Sequence, residues 1–363
     1  MAFSPIDADP AAVRIAQYYA DAEIAIIRKM VLMLAQGIDS PDWDREQLAA
    51  LQRLRDMAVR ELGGTDAAAA IFQEVENAYQ GGVASALKDM APALDPSDAL
   101  LSEAGKAQVA NLAGAAVGTI ESAKPMLLRA VADVFREVVA DVTAQTILGT
   151  ITRKQAYQIA ANRFLGQGLP TFKDSRGRNW RIQDYARMAV RTATAKTAIQ
   201  AHLDTAEANG FDLVMITAGP RHCKVCDGWT GKVLHRDSGP EGTYVVESLV
   251  TGRPVQVKVE GSLADARRAG WGHPNCRCNI RVFIPGATKV EARPPWDQAA
   301  YEAQQRQRAL ENQVRMAKLK QAVAVTPEAE ARAKGQLKDA FARLNQHMQD
   351  HDYLKRQRQR EQV

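Results

Sequence analysis

The sequence predicts an α-rich protein with a small α+β domain in the second half of the chain. Aromatic residues make up only 6% of the 363 residues and alanine is abundant, which favours long helices over a β-sandwich. Apolar residues recur at helical spacing through most of the first 150 residues. Short β-branched runs occur further on, between and on either side of two clusters of cysteine. We therefore expect a long N-terminal helical region, a stapled small sheet and an extended C-terminal helical arm.

Turn signals divide the chain into three predicted domains. Gly149 ends one helical stretch, and Thr152 and Gln155 then have the spacing of a capping box that starts another helix. Pro285-Gly286 ends the last β-branched run. We therefore predict a helical region at 1–150, an α+β domain at 151–286 and a basic helical arm at 287–363.

The first region contains helical patterns with clear stop signals. We predict helices at 11–36, 44–62 and 66–87, with Gly37 and Gly63-Gly64 as stops, and further helices through 101–148. In the last of these, an apolar stripe indicates a helix that faces a core or a partner. The stripe consists of Leu127, Val131, Val134, Phe135 and Val138.

The middle region changes from helix to strand. A helix is expected from Gln183, and a short one at 262–269. Alternating or continuous β-branched residues predict strands, two of which form a half-exposed hairpin around Thr251-Gly252-Arg253-Pro254. The predicted strands lie at 211–217, 244–250, 255–259 and 279–284.

The last region contains two predicted helices, 297–323 and 328–350. The first is so polar that we expect it to lie on a partner or to bridge domains. The second has a narrow apolar stripe (Leu337, Phe341, Leu344 and Met348), which fits docking onto another chain. The basic run at 355–360 is either a solvated helix end or a contact for phosphate.

All four cysteines lie in two tight clusters that have the spacing of zinc ligands. Cys223 and Cys226 form a C-x2-C pair, and His273-x2-Cys276 repeats that spacing with an imidazole, followed by Cys278. Tetrahedral zinc takes four nitrogen or sulfur ligands, usually from two short-spaced pairs. The sequence thus predicts a zinc-stapled small sheet, with five candidate ligands for four positions.

Two disulfides or four unpaired thiols are the alternatives to a metal. Disulfide frameworks belong to small secreted domains, and the chain begins with no recognisable secretory signal, so we expect it to fold in the cytoplasm. Thiols without a role would not fall into two clusters. A shell of thiolates and imidazole is closed to water, which favours a structural metal over a catalytic one.

Charge is distributed unevenly along the chain. The formal net charge is +5, yet residues 1–100 are acidic, while residues 301–363 carry 13 Lys and Arg against 8 Asp and Glu. Opposite ends of the chain therefore suit different neighbours.

No apolar run is long enough to span a bilayer, so no membrane partner is expected. A further basic cluster could bind phosphate or pair with acidic neighbours. It consists of Arg176, Arg178, Arg181, Arg187 and Arg191.

Several motifs and their order along the chain resemble the phage minor capsid protein 2 family. The cysteine motif resembles that of the Mu F-type head morphogenesis domain. The resemblance runs from roughly the first helices to the C-terminus. The matching stretches are 148–156, 174–180, 185–192, 229–232, 273–278, 301–311 and 358–361. Where the family often has histidine, this chain has Cys226 and Cys278. This exchange supports a metal at Cys226, His273, Cys276 and Cys278. It leaves open whether Cys223 is a ligand in place of His273.

The resemblance implies a minor structural protein of a tailed-phage head, located in the virion near the portal. It would act in head assembly, DNA packaging or ejection, without enzymatic activity. The implied partners are the portal protein, the major capsid or scaffolding protein, and packaged double-stranded DNA at the basic arm.

Two other functions compete with this interpretation. A metal-dependent nuclease or toxin-like enzyme could use His222, His235 and His273 around an open metal. A free DNA-binding protein would bind in a strongly salt-dependent way. The sequence has no G-x-G-x-x-G loop, which argues against a nucleotide-dependent transferase.

Overall fold

The computed structural model describes most of the chain, which folds into two compact units. The first unit comprises Met1–Ala12, Ala68–Val117 and Met188–Glu302, and the second comprises Val13–Ala67, Gly118–Arg187 and Ala303–Val363. Both units are built from segments that are distant in the sequence. The division at residues 150 and 286 remains a prediction. The described residues are 8–63, 66–101, 105–148, 152, 155, 157, 171–174, 177–218, 222–290, 296–322, 324 and 327–361.

Helices dominate the structure, as the alanine-rich sequence predicts. The helices of the first half are α1 (Ala8–Ala35), α2 (Trp43–Ala49), α3 (Leu51–Leu62), α4 (Asp66–Met90) and α5 (Gly105–Ile147). Those of the second half are α6 (Ile182–Ala208), α7 (Lys224–Asp227), α8 (Leu263–Arg268), α9 (Gln298–Ala322) and α10 (Pro327–Asp350). Short 3-10 turns cover Pro96–Asp98 and Arg358–Glu361. The α-rich fold class is confirmed.

The predicted helix 44–62 is two helices, α2 and α3, which meet at Ala50. The indole of Trp43 lies buried at the start of α2, and its Nε1 donates to the Leu34 carbonyl at 3.0 Å. Gly37 adopts φ +61° just after α1, as expected of a helix stop. The hydrophobic period continues across Ala50, so it could not reveal the break.

Helix α5 is continuous from Gly105 to Ile147, with Pro125 inside it. Most of the predicted stripe lies on its buried face: Leu127, Val131, Phe135 and Val138 are at most 5% exposed, whereas Val134 is only half-buried. The capping-box contacts are present further on, since the Gln155 amide donates to Thr152 Oγ1 at 3.2 Å and the Thr152 amide donates to Gln155 Oε1 at 2.9 Å. Most of the helix predicted at 153–165 lies outside the described residues.

A five-stranded mixed sheet lies in the first unit, in the order β5-β6-β4-β3-β7. Strands β5 and β6 form the predicted hairpin, with Tyr244 opposite Val257. Strand β4 pairs in parallel with β6 and antiparallel with β3. The strands are β3 (Leu213–Thr217), β4 (Val233–His235), β5 (Gly242–Glu247), β6 (Pro254–Ser262) and β7 (Asn279–Val282); β1 (Phe172–Lys173) and β2 (Asn179–Trp180) form a separate antiparallel pair.

The core of the first unit lies between this sheet and the helices α6 and α8. Ile199 and Leu203 of α6, Val214 and Ile216 of β3, and Leu263 of α8 all belong to one buried apolar cluster. A capping box of Ser262 and Asp265 starts α8, as both reciprocal hydrogen bonds are present. The cysteine-bearing turns are thereby attached to a packed core.

The C-terminal helices α9 and α10 pack on each other. Leu310, Val314 and Ala317 of α9 meet Ala340 and Leu344 of α10 in one apolar cluster. The stripe that the sequence assigns to another chain (Leu337, Phe341, Leu344 and Met348) belongs to this cluster, so that assignment was wrong.

Helix α9 buries polar side chains along with apolar ones. Gln307, Glu311 and Arg315 are at most 4% exposed. Gln307 Nε2 donates to Glu311 Oε1 at 2.8 Å, and Arg315 Nη2 lies 2.9 Å from Asp184 Oδ1. These pairs offset the cost of removing the polar groups from water.

Several of the basic residues form ion pairs within the chain. Arg356 donates to both carboxylate oxygens of Glu361 at 2.7 Å, so part of the basic C-terminal run folds back on itself. In the other predicted cluster, Arg178 pairs with Asp174 at 2.7 Å and Arg181 pairs with Glu23. Pairing with acidic neighbours, one of the two alternatives for that cluster, is therefore present.

Among the residues described, no helix has the length and apolar character that a bilayer crossing requires.

Candidate metal centre

The two cysteine clusters meet at one end of the strand pair β3–β7. In the antiparallel register Thr217, the last residue of β3, lies opposite Asn279, the first residue of β7. The chain that leaves β3 leads to Cys223 and Cys226, and the chain that enters β7 comes directly from Cys276 and Cys278. Sheet pairing alone therefore brings the distant clusters together.

The first cluster is built on one helical turn, α7. Cys223 stands at its N-cap with extended φ and ψ, and its carbonyl accepts from the Asp227 amide at 3.0 Å. The turn places Cys223 and Cys226 on the same side, as residues three apart in a helix are. At its end, the Cys226 carbonyl accepts from Thr230 Oγ1 at 2.8 Å, which holds the following loop.

The second cluster is built on a β-turn from His273 to Cys276. The Cys276 amide donates to the His273 carbonyl at 2.9 Å, and Asn275 has φ +64°, the one positive φ among the described non-glycine residues. Proline at the second position and a positive φ at the third are the marks of a type II turn, where asparagine is a tolerated substitute for glycine. The turn holds His273 and Cys276 side by side.

Helix α6 supports this second turn. Arg191, which is 7% exposed, donates from Nη1 to Asn275 Oδ1 at 2.9 Å. The Asn275 amide lies 3.4 Å from Thr192 Oγ1. The first turn is held by a tryptophan outside α6: Trp296 Nε1 donates to the His222 carbonyl at 3.2 Å.

The ligand atoms lie at separations that suit one ion. Cys223 Sγ is 3.2 Å from His273 Nε2, Cys226 Sγ is 3.8 Å from the same nitrogen, and Cys226 Sγ is 3.6 Å from Cys276 Sγ. Zinc with bonds of about 2.3 Å to sulfur and about 2.0 Å to nitrogen has ligand atoms roughly 3.5–3.8 Å apart. A disulfide needs sulfurs about 2.05 Å apart, and all four cysteines are free.

The five predicted ligands form two overlapping groups of three. Cys223, Cys226 and His273 are one group, and Cys226, Cys276 and Cys278 are the other; the ligand atoms within each group all lie within 4.8 Å of one another. Cys226 belongs to both. The structure thus brings together all five residues that the sequence predicts as zinc ligands, in an arrangement that could hold a metal.

Thiol–thiol contacts favour a thiolate within the cluster. Hydrogen bonds with Cys226 and then with Cys278 lower the pKa of Cys276 to about 2, and the bonds with Cys276 and Cys278 raise the pKa of Cys226. Burial opposes ionisation of Cys223, but hydrogen bonds with Cys226 and His273 outweigh it and lower its pKa. Metal binding requires thiolates, so Cys276 and Cys223 are prepared for it, whereas Cys226 holds its proton until an ion displaces it.

His273 presents Nε2 to the sulfurs. Its Nδ1 lies 2.9 Å from the Pro274 carbonyl, so a proton on Nδ1 donates to that oxygen and leaves the Nε2 lone pair free. Metal-bound histidines are commonly oriented by such a backbone acceptor.

The side of the cysteine cluster that faces the core is closed to solvent. Cys226 and Cys278 are 1% and 2% exposed and belong to the apolar cluster that contains Val214, Ile216 and Trp271. The other two histidines of the enzyme alternative lie with other partners: His222 Nε2 is 2.8 Å from Asp227 Oδ1, and His235 Nδ1 is 2.7 Å from Asp212 Oδ2. The arrangement suits a structural metal better than an open catalytic one.

Comparison with known proteins accounts for nearly the whole chain. The sequence model described as Phage minor capsid protein 2 matches residues 4–351. The chain belongs to the phage minor capsid protein 2 family. The resemblance seen in the sequence motifs is thereby confirmed. No curated protein and no solved structure gives a significant match to this minor capsid protein.

Sequence reasoning found the candidate ligands of this family member but did not identify the residues that support them. Asn275 was visible only as part of a motif, and its positive φ identifies it as the residue that allows the second turn. The sequence suggests phosphate or an acidic neighbour as the partner of Arg191, whereas its guanidinium donates to that asparagine. Pro274-Asn275 is itself a turn signal, and it could have indicated the type II turn.

Proposed function

We propose that this minor capsid protein is a structural, non-catalytic component of the phage head that binds near the portal and acts in head assembly, DNA packaging or ejection. The observation that carries the proposal is the family match over residues 4–351, which covers nearly the whole chain. Membership in a capsid protein family implies a place in the virion. The position at the portal and the stage of assembly are the parts that we add.

Within this role, we infer that one zinc ion joins the two cysteine turns. Cys223, Cys226, His273 and Cys276 are our proposed ligands, since contacts of 3.2–3.8 Å link these four atoms. Thiolate and imidazole ligands together favour zinc over magnesium or calcium. Cys278, the fifth candidate, would then be a buried thiol beside the site.

Such an ion would stabilise the small sheet without taking part in a reaction. It would join the chain after β3 to the chain before β7 and so add a link to the pairing of those two strands. Four protein ligands leave no position for water, which is the arrangement of a structural site. Our proposal that the protein is not an enzyme depends on this closed ligand shell and on its membership in a capsid protein family.

The proposed neighbours are the portal protein, the major capsid or scaffolding protein, and packaged DNA. The acidic first part of the chain and the basic last part suit neighbours of opposite charge. At the basic end, Arg356 is occupied by Glu361, whereas Lys355 and Arg358 are exposed. A contact with DNA phosphates through this end would therefore depend on those two side chains.

Chemical cross-linking of purified phage particles, followed by mass spectrometry, tests the position. We expect the chain to be present in particles and to cross-link to the portal protein. Cross-links to the major capsid protein alone, or absence of the chain from particles, would contradict the proposal.

A second arm of the experiment tests the basic end with point variants of the full chain. Removing residues 297–363 would take away the α9–α10 cluster, so deletion is unsuitable. The double variant Lys355→Glu, Arg358→Glu should weaken cross-linking between the basic C-terminal end and its neighbours in the particle. Arg332→Glu with Lys338→Glu, two exposed positions on α10, is the matched control and should leave it unchanged.

A further inference from the structure

The two edges of the five-stranded sheet differ in how their backbone is covered. At the β7 edge, the Val282 amide donates to Asp89 Oδ2 at 3.1 Å. Val282 also shares an apolar cluster with Ala86 and Met90 of α4. At the other edge, β5 pairs with β6 alone among the residues that the structure describes. Because an uncovered edge strand presents backbone donors and acceptors to other chains, the β5 edge is a candidate interaction surface.

The register of the β5–β6 hairpin identifies the backbone groups that point outward. The Ser248 amide donates to the Arg253 carbonyl at 2.8 Å, so these two residues form a hydrogen-bonded pair. Hydrogen-bonded and non-hydrogen-bonded pairs alternate along antiparallel strands. The amides and carbonyls of Thr243, Val245 and Glu247 therefore point away from β6, and none of the described residues pairs with them.

Strand β5 has few of the features that usually prevent pairing at a sheet edge. Its centre, Thr243-Tyr244-Val245-Val246, is β-branched and aromatic, a composition that suits strand pairing. Its six residues, all of which are described, include no proline or lysine, and their register with β6 is regular. The apolar Val245 is 68% exposed at the middle of the edge. The strand itself thus favours a further strand beside it.

A second copy of β5 fits this edge when the two strands run antiparallel about a twofold axis at Val245. Val245 then lies opposite Val245 of the second copy, and Thr243 lies opposite Glu247. Each of the outward positions becomes a hydrogen-bonded pair that exchanges two backbone hydrogen bonds. On the other face Tyr244 lies opposite Val246, an aromatic and β-branched pair of the kind that stabilises neighbouring strands. The edge is therefore complementary to itself.

The charges beside β5 favour this register over the adjacent ones. A shift by one hydrogen-bonded pair in one direction brings Glu241 opposite Glu247 of the second copy, and like charges in that position are destabilising. The opposite shift places Glu247 against the apolar Val245. In the register centred on Val245, Lys258 lies in the same row and on the same face as Glu247 of the second copy, with Thr243 between them. The charges across the contact are then of opposite sign.

We propose that β5 pairs with β5 of a second copy of this chain and joins the two small sheets into one. Permanent interfaces bury about 1,200 Å² or more. A contact of a few strand residues is smaller, so the dimer is weak and reversible. This contact goes beyond the proposed position at the portal and does not depend on it.

Sedimentation velocity of the full-length chain at rising concentration measures the association. We expect a monomer at low micromolar concentration and a growing share of dimer in the submillimolar range. Val245→Lys places two like charges opposite each other on the axis, and it should weaken dimerisation roughly tenfold or more. Val250→Lys is the matched control, because Val250 is also an exposed valine but lies in the hairpin turn outside β5. It should leave the association unchanged.

Mixing two variants tests the register and controls for misfolding. Val245→Glu alone should be monomeric for the same reason as Val245→Lys. An equimolar mixture of the two should dimerise again, because unlike charges then face each other across the axis. A variant that had failed to fold could not be rescued in this way.

Backbone hydrogen exchange locates the contact. The amides of Thr243, Val245 and Glu247 should exchange quickly in a dilute sample and become protected as the dimer forms. The Val282 amide, which already donates to Asp89, should be insensitive to concentration.

Four results would overturn the proposal. They are a monomer at every concentration, equal weakening by Val250→Lys, no rescue in the mixture, and dimerisation that leaves the three β5 amides unprotected. A monomeric chain whose β5 amides become protected only by an extended peptide from another protein would also overturn it, and would assign the edge to that protein.

Discussion

Cys226 Sγ lies 3.6 Å from Cys276 Sγ, although the two residues are 50 positions apart in the sequence. The contact arises because β3 and β7 are neighbours, so the turn after one strand and the turn before the other share one end of the sheet. The geometry of each turn then decides which atoms meet there.

The second turn should depend on the left-handed conformation of Asn275. Asn275→Gly and Asn275→Ala both lose the hydrogen bond to Arg191, so the difference between them isolates the backbone. Because φ is +64°, alanine is strained there and glycine is not, and we expect the alanine variant to be less stable by about 1 kcal/mol. Urea unfolding of the two variants measures this difference. Equal midpoints would contradict a type II turn at this position.

Single alanine substitutions should separate the ligands from the fifth thiol. Cys226→Ala and Cys276→Ala should abolish stoichiometric zinc binding, since each removes one of four ligands. Cys278→Ala is the matched control, equally a buried thiol of the cluster, and should keep one zinc per chain. Metal analysis after dialysis gives the result. Retention of zinc in Cys276→Ala with its loss in Cys278→Ala would assign the fourth position to Cys278.

Buried His202 should make the stability fall in mild acid. Burial, followed by the nearby Arg281, lowers the pKa of His202 to about 4, and its Nε2 faces Asp89 Oδ2 at 3.4 Å. The unfolded chain binds a proton near pH 6.5 and the folded one only near pH 4, so stability is full above pH 6.5 and is lost as the pH falls toward 4. From pH 7 to pH 5 this residue alone should cost about 2 kcal/mol.

Comparison with His202→Gln, measured by urea unfolding at both pH values, isolates this effect. Burial also raises the pKa of Asp89, so protonation of Asp89 in the folded state offsets part of the loss at lower pH, and pH 5 is a suitable limit. An equal pH dependence in both proteins would show that His202 does not contribute.

The α9–α10 pair should be part of the folded chain in the absence of any partner. Leu344 is fully buried against α9, so Leu344→Ala should lower the free energy of unfolding by about 2–5 kcal/mol. Lys338→Ala, an exposed change on the same helix, should have little effect. If α10 instead docked only onto another chain, thermal unfolding of the isolated protein would be the same for both variants.

The sequence predicted the helices and the candidate ligands better than the way the helices pack. Periodicity identified α10 and its stripe, but it could not show that the polar helix α9 provides the complementary face. Gln307, Glu311 and Arg315 are buried there through hydrogen bonds and ion pairs, and a hydrophobic pattern does not register such residues. Which helix covers an apolar stripe depends on long-range packing that is absent from local sequence.

Strand β4 was missed for a related reason. Val233–His235 is three residues long, too short to show an alternating pattern, and its place between β3 and β6 comes from pairing with both neighbours. The cysteine site was predictable because ligand spacing is local within each turn. The same spacing predicted that the two turns meet at one ion, but the β3–β7 pairing that brings them together is seen only in the structure.

The metal content of the purified full-length chain tests the central claim most directly. Elemental analysis should find about one zinc per chain, and chelation should release it together with loss of the native fold of the small sheet. A preparation that contains no zinc, folds normally and has all four thiols open to titration in the native state would contradict the account.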